Sequence, residues 1–271
     1  MIEEIFVIAK TYPTRSKKYK ELVCTAGINR RGEWIRIYPI PFRSLEDYKK
    51  FKRYTWIEAE ITPDKSDPRI ESHKINTSSI KILENIPTNK EWGRRKQLIL
   101  ENTRIYTNLR EVIDAATKTN TLSLCTFKPT KFLDIIVSKN PKEELTEKEK
   151  KEHINADRSL FDTESCELEF TGMPHIPYRF KIKFEDDVGK TSSLSVIDWE
   201  IPQLYLNYKK EGDEIAIKKV KEKLSWMLKE RDLYLFLGTM KQMHIRKSKN
   251  PYTIIGLFYP PKTKRYQGNL F

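Results

Sequence analysis

Four carboxylates in the C-terminal half carry the most enzyme-like spacing in the chain. Asp198 and Glu200 stand two apart in Ser195-Val-Ile-Asp-Trp-Glu200 and share one face if that segment is a strand. Asp186 and Asp187 lie just upstream in the turn Glu185-Asp-Asp-Val-Gly189. Oxygen donors so placed suit Mg²⁺, and a metal held by Asp198 and Glu200 can assist phosphodiester hydrolysis while Lys181, Lys183 or Lys190 neutralises the phosphate. Against this stands a structural reading. The lysine that commonly follows such an acid by two residues is missing, because Ile201 and Pro202 occupy the next positions, and abundant lysines offer ordinary ion-pair partners.

A second constellation suits binding rather than cleavage. Glu21 to Arg43, ELVCTAGINRRGEWIRIYPIPFR, places two alternating apolar runs around the turn formers Asn29-Arg30-Arg31-Gly32, the pattern of a β-hairpin. Arg30, Arg31 and Arg36 are interleaved with Trp34. Guanidinium groups suit phosphates and flat rings suit bases. The loop before the hairpin adds Arg15, Lys17 and Lys18, and Arg94 and Arg95 extend the proposed surface from a later helix. The alternative is a core hairpin with buried rings and solvated arginines.

Other chemistries find no support. His73, His153, His175 and His244 are scattered, as are Cys24, Cys125 and Cys166, so no zinc spacing, disulfide framework or redox pair is implied. The chain has no GxxxxGK[ST], GxGxxG or GxSxG. No cofactor is implied, and Mg²⁺ enters only with the nuclease alternative.

The elements that must position these residues divide by period. Short alternating segments fill the first 90 residues around one small charged helix over 44–54, which predicts a small barrel or strongly curved sheet. Helical spacing follows over 91–118, then strand patterns over 122–137. Alternation returns at 166–170, 178–184 and 194–199, an amphipathic helix covers 214–230, and two near-continuous apolar runs at 232–238 and 252–259 predict strands covered on both faces. The fold class is α+β: an N-terminal small β-barrel-like module plus a C-terminal mixed β-sheet with amphipathic helices. The expected division is 1–140 for the barrel-like module with its helical extension, 141–164 for an acidic linker or exposed helix, and 165–271 for the α+β domain with a C-terminal interaction tail.

Charge gives the broad class of partner. The 271 residues carry a formal net charge of +13, distributed as +10 over 1–140, −5 over 141–170 and +8 over 171–271. Two basic blocks flanking an acidic strap fit a polyanionic partner. No run is long and apolar enough for a membrane span and no signal peptide is visible, so a cytoplasmic protein without a membrane partner is expected.

The last five residues, Gln267-Gly-Asn-Leu-Phe271, resemble the sliding-clamp-binding peptide of bacterial replication and repair proteins: glutamine, two variable residues, then leucine and phenylalanine. The resemblance implies that Gln267, Leu270 and Phe271 dock on a sliding clamp, and it covers these five residues alone. Taken together, the expectation is a nucleic-acid-binding protein, DNA favoured over RNA, in DNA repair, replication surveillance or antiviral and mobile-DNA defence. The alternatives are the metal-dependent nuclease and a clamp-binding adaptor that does not touch nucleic acid.

Overall fold

The computed structural model describes residues 1–16, 20–140 and 174–262, with the side chains of 14–21 outside it. The chain is α+β. Its N-terminal strands are β1 (Ile2–Lys10), β2 (Thr14–Ser16), β3 (Lys20–Asn29), β4 (Trp34–Ile40), β5 (Thr55–Pro63), β6 (Ser72–Ile75) and β7 (Lys81–Asn85). β1, β3, β4, β6 and β5 follow one another around a ring that closes where β5 pairs back onto β1, with Ile5 opposite both Asn29 and Ile57. This is the expected small barrel, with β2 and β7 attached outside the ring.

The apolar run in β1 is continuous because both its faces are covered. Ile5 and Val7 point into the barrel with Val23, Ile37, Ile57 and Ile61. Phe6 and Ile8 point outward into a second core shared with Leu124, Phe236, Ile255 and Phe258. At ~25 cal/mol per Å² of apolar surface, such two-sided burial is a main source of cohesion between the barrel and the rest of the chain. The helix expected over 44–54 is absent. Two 3-10 turns, Phe42–Ser44 and Asp47–Lys49, stand there, and they set Phe42 and Phe51 edge to face at 5.1 Å under the barrel.

Beyond the barrel come α1 (Asn89–Lys96), a π turn at Gln97–Glu101, β8 (Ile105–Tyr106), α2 (Leu109–Thr117), β9 (Leu124–Phe127) and β10 (Lys131–Lys139). Then follow β11 (Tyr178–Glu185), β12 (Thr191–Ser195), α3 (Glu200–Tyr208), α4 (Asp213–Glu230), β13 (Tyr234–Thr239), α5 (Lys241–Ile245) and β14 (Tyr252–Phe258). The order in one sheet is β14-β13-β9-β8 and in another β10-β11-β12, with a Val196–Ile254 bridge between them. Thus β9 pairs with β13 and β10 with β11, strands from the far end of the chain, and β8 joins the same sheet through β9 rather than the barrel.

The buried stripe of α4, Ala216, Val220, Leu224 and Met227, recurs at helical spacing and closes a large core with Phe180, Phe184, Leu235 and Leu257. β13 and β14 are buried on both faces, as their near-continuous apolar runs predict.

Candidate nucleic-acid interface

Asp198 and Glu200 do not sit together on a strand. Strand β12 stops at Ser195, Asp198 forms a lone bridge with Thr11, and α3 starts at Glu200. The Asp198 carboxylate itself turns the chain: one oxygen accepts the Glu200 N–H at 2.8 Å, and the other accepts from Arg53 Nη1 at 2.5 Å and from Leu257 N–H at 3.0 Å. Asp198 is 0% exposed. Glu200, with its side chain 49% exposed, reaches Arg53 Nη2 at 3.1 Å.

Both carboxylates therefore neutralise one buried guanidinium that joins the barrel to the C-terminal sheets. Burial opposes the Arg53 charge, and the negative charge of Asp198 beside it more than restores it, raising its pKa. Nearby, the Lys10 ammonium lies 4.1 Å from the Phe42 ring centroid and donates to the Phe51 carbonyl at 2.9 Å. Burial first, then the Arg53 charge, lower its pKa to about 8.

Asp186 and Asp187 serve a different place. Asp186 accepts the Lys190 N–H at 2.9 Å within its own hairpin turn and the Leu109 N–H at 3.3 Å, while Asp187 accepts the Thr107 hydroxyl at 2.7 Å. The four acids thus form two separate structural pairs, one on Arg53 and one at the start of α2. Among the described residues no three His, Cys, Asp or Glu side chains gather as a metal site.

The hairpin around Gly32 forms as expected, yet its charges are already partnered. Gly32, at φ 79, closes the turn, with Gly32 N–H donating to the Asn29 carbonyl at 3.1 Å. Arg30 pairs with Glu4 at 2.6 Å and lies 3.7 Å over the Trp56 ring, and Arg31 pairs with Glu3 and Glu33 at 3.1 and 2.9 Å. Trp34 is half-buried with its ring 5.9 Å from that of Phe236.

Arg36 is a correction to the proposed surface. It is 1% exposed and donates to the Ser123 hydroxyl at 2.5 Å and the Ser123 carbonyl at 3.0 Å, so it is closed to any partner in solution. Burial followed by the neighbouring Arg69 charge lowers its pKa. Arg95 is likewise buried, 4.0 Å over the Tyr54 ring, whereas Arg94 is exposed and held by Glu84 at 2.6 Å. The side chains of Arg15, Lys17 and Lys18, and the whole of Gln267, Leu270 and Phe271, lie outside the described residues.

Another surface carries a row of cations without carboxylate partners among the described residues. In β11, Phe180, Ile182 and Phe184 enter the core, so the period of two turns Arg179, Lys181 and Lys183 outward. The register sets Arg179 opposite Ser138, Lys181 between Ile136 and Ser195, and Lys183 between Asp134 and Ser193. No carboxylate of the described residues lies within 4.0 Å of these three cations, Asp134 and Glu185 on the same face included. Arg179 Nε donates to Asn140 Oδ1 at 2.7 Å, which fixes the guanidinium and leaves its two terminal nitrogens open.

Beside this row opens a cleft of about 610 Å³. Arg179, Lys181, Ser193 and Ser195 form one bank, and Met240, Met243 and Asn250 the other. The loop that supplies the second bank also exposes Arg246, Lys247 and Lys249, again with no carboxylate partner among the described residues. Elsewhere cations already cover rings: Lys223 and Arg231 lie 4.3 and 4.5 Å from the Trp226 centroid. The row on β11 is legible in sequence as Arg-x-Lys-x-Lys on an alternating strand. What sequence does not display is which of the chain's many cations have a carboxylate partner.

The barrel, the C-terminal sheets and the cationic face define an α+β protein built from two interlocked modules. The chain belongs to the family described as Domain of unknown function (DUF8757), whose model matches residues 105–271; residues 1–101 match a second model, Domain of unknown function (DUF8758). The two matches meet just ahead of β8. No curated protein matches the chain. Among solved structures, a murine DNA-binding protein bound with double-stranded DNA aligns over 97% of each chain at 8% identity and a TM-score of 0.30, a likeness that carries no argument. No helix of the described residues is long and apolar enough to cross a membrane.

Proposed function

We propose that this chain binds nucleic acid, DNA in preference to RNA, on the outer face of β10, β11 and β12 and along the banks of the neighbouring cleft. One observation carries the reading: Arg179, Lys181 and Lys183 stand in a row without carboxylate partners among the described residues, flanked by the hydroxyls of Ser138, Ser193 and Ser195. A backbone of phosphates supplies the missing counter-charge, and hydroxyls add hydrogen bonds to its oxygens. The net charge of +13 favours the same partner through long-range attraction.

The preference for DNA rests on the C-terminal pentapeptide. Docking of Gln267, Leu270 and Phe271 on a sliding clamp brings the basic face to replicating DNA, in repair, replication surveillance or defence against mobile DNA. Fluorescence anisotropy with labelled single-stranded and duplex DNA and RNA, at salt between 50 and 200 mM, tests the reading. The expected outcome is log affinity falling linearly with log salt, with a slope of about −0.9 per phosphate neutralised on duplex DNA. Absence of salt-dependent binding to every member of the panel contradicts it.

A further inference from the structure

We infer that the cleft beside β11 and β12 takes a single unstacked nucleotide, its base between the apolar walls and its phosphate on Arg179 and Lys181. The inference rests on the nucleic-acid reading above and adds the site that reads the base. At about 610 Å³ the cleft falls within the roughly 300–1,000 Å³ usual for ligand sites. A base must leave its stack to enter such a cleft, which an unpaired strand allows more readily than a duplex.

The lining separates by chemistry. Tyr12, Val196 and Tyr252 contribute apolar and aromatic wall, and the rim holds Met240 and Met243, each 44% exposed. Exposed methionines side by side are an adaptable contact surface for flat, polarisable ligands. Polar atoms are few and open. The Ser193 and Ser195 hydroxyls and the Asn250 amide nitrogen have no hydrogen-bond partner among the described residues. The other end of the Asn250 amide accepts the Tyr252 N–H at 3.0 Å, which fixes the side chain with its NH₂ left to donate. Open donors and hydroxyls in a mostly apolar recess suit the edge of a heterocycle. Among the residues that line the cleft the cations stand on the β11 bank, which gives the ligand a polarity, anion toward β11 and ring toward the methionines.

This combination disfavours the other occupants of such a recess. A purely apolar ligand leaves Arg179 and Lys181 without a partner, and inorganic phosphate leaves the apolar walls uncovered. A nucleoside monophosphate satisfies both.

Calorimetric titration of the full chain with nucleoside 5′-monophosphates, ribose 5-phosphate and inorganic phosphate, alongside anisotropy with duplex DNA, tests the assignment. Ser193 is exposed, so Ser193→Trp fills the cleft mouth without entering the core; Met243→Glu places a carboxylate on the opposite rim as a second, independent block. The expected result is at least one monophosphate bound tenfold or more tighter than ribose 5-phosphate by the wild type, and that binding lost in both variants. Duplex binding by the wild type with no monophosphate preferred over ribose 5-phosphate overturns the cleft assignment and leaves the nucleic-acid reading standing. Monophosphate binding that survives in either folded variant overturns the placement. Monophosphate binding lost in both variants, from a protein that binds no nucleic acid, supports the cleft and overturns the reading it rests on. Binding of neither overturns both.

Discussion

Asp198 illustrates how burial decides what a side chain does. Its two oxygens hold three donors at the contact between barrel and sheets, and the guanidinium of Arg53 is its only charged partner at hydrogen-bond distance among the described residues. Removing Asp198 leaves the buried guanidinium to the half-exposed Glu200 alone, so Asp198→Ala is expected to cost about 3 kcal/mol in urea unfolding. The double change Arg53→Met with Asp198→Leu is expected to cost much less than the single one. Equal losses from the single and double changes contradict this view of the pair.

Asp67 gives a pH signature at the same scale. Burial pushes its pKa up, but the hydrogen bonds and charge of Arg69 outweigh burial and hold it at about 2, below the ordinary 3.8. A carboxylate depressed on folding contributes stability that is complete above about pH 4 and is lost as pH falls toward 2. A drop from 3.8 to about 2 corresponds to a little over 2 kcal/mol in full, of which about 2 kcal/mol is lost by pH 2, where the folded carboxyl is half-protonated. The stability difference between wild type and Asp67→Asn is therefore expected to shrink by that amount between pH 5 and pH 2 in denaturant titrations, and a constant difference contradicts it.

Among the elements, the start of α1 holds the clearest local strain. Lys90, Glu91 and Trp92 stand in succession at φ 48, 54 and 63, a left-handed turn built without glycine. Each such residue costs about 1–2 kcal/mol. The turn sets Trp92 against Tyr54, Phe258 and Tyr259, with centroids at 6.1, 5.7 and 5.2 Å. Tertiary packing of that ring overrides the local preference. Glu91 is exposed, and Glu91→Gly is expected to raise thermal stability by roughly 0.5–1 kcal/mol, the relieved strain less the added backbone entropy of glycine. A destabilised Glu91→Gly protein contradicts the strain.

Elements with strong period were legible in sequence: α4, the hairpin at Gly32, and the paired apolar runs of β13 and β14. The 3-10 turns at 42–49 and the break at Asp198 were not. Phe42 and Phe51 are placed by the barrel bottom, and Asp198 is placed by Arg53, 145 residues away, so neighbouring residues do not encode either outcome. The alternating segments predict a small barrel, but not the strand order that closes it. That order depends on β6, a strand of four residues, whose pairing with β4 is parallel while it meets β5 antiparallel.

At the scale of the whole molecule, the candidate site was half visible. A basic partner-binding protein follows from composition, but sequence proximity to aromatic residues selected the hairpin tip, where Glu3, Glu4 and Glu33 compensate Arg30 and Arg31. Those acids come partly from β1, which its antiparallel pairing with β3 brings alongside. The unpartnered row on β11 emerges once the core-facing residues of that strand are known. Location thus depends on pairing, and pairing is a property of the fold.

The most direct test compares the two surfaces in one experiment: the salt dependence of duplex DNA binding for wild type, for Arg179→Ala/Lys181→Ala/Lys183→Ala, and for Arg30→Ala/Arg31→Ala. Each lost phosphate contact is expected to flatten the slope by about 1. The triple variant should lose about 2–3 units of slope and tenfold or more in affinity at 100 mM salt, with the hairpin variant within about threefold of wild type. The opposite ranking, a large loss from the hairpin tip and none from β11, contradicts the account.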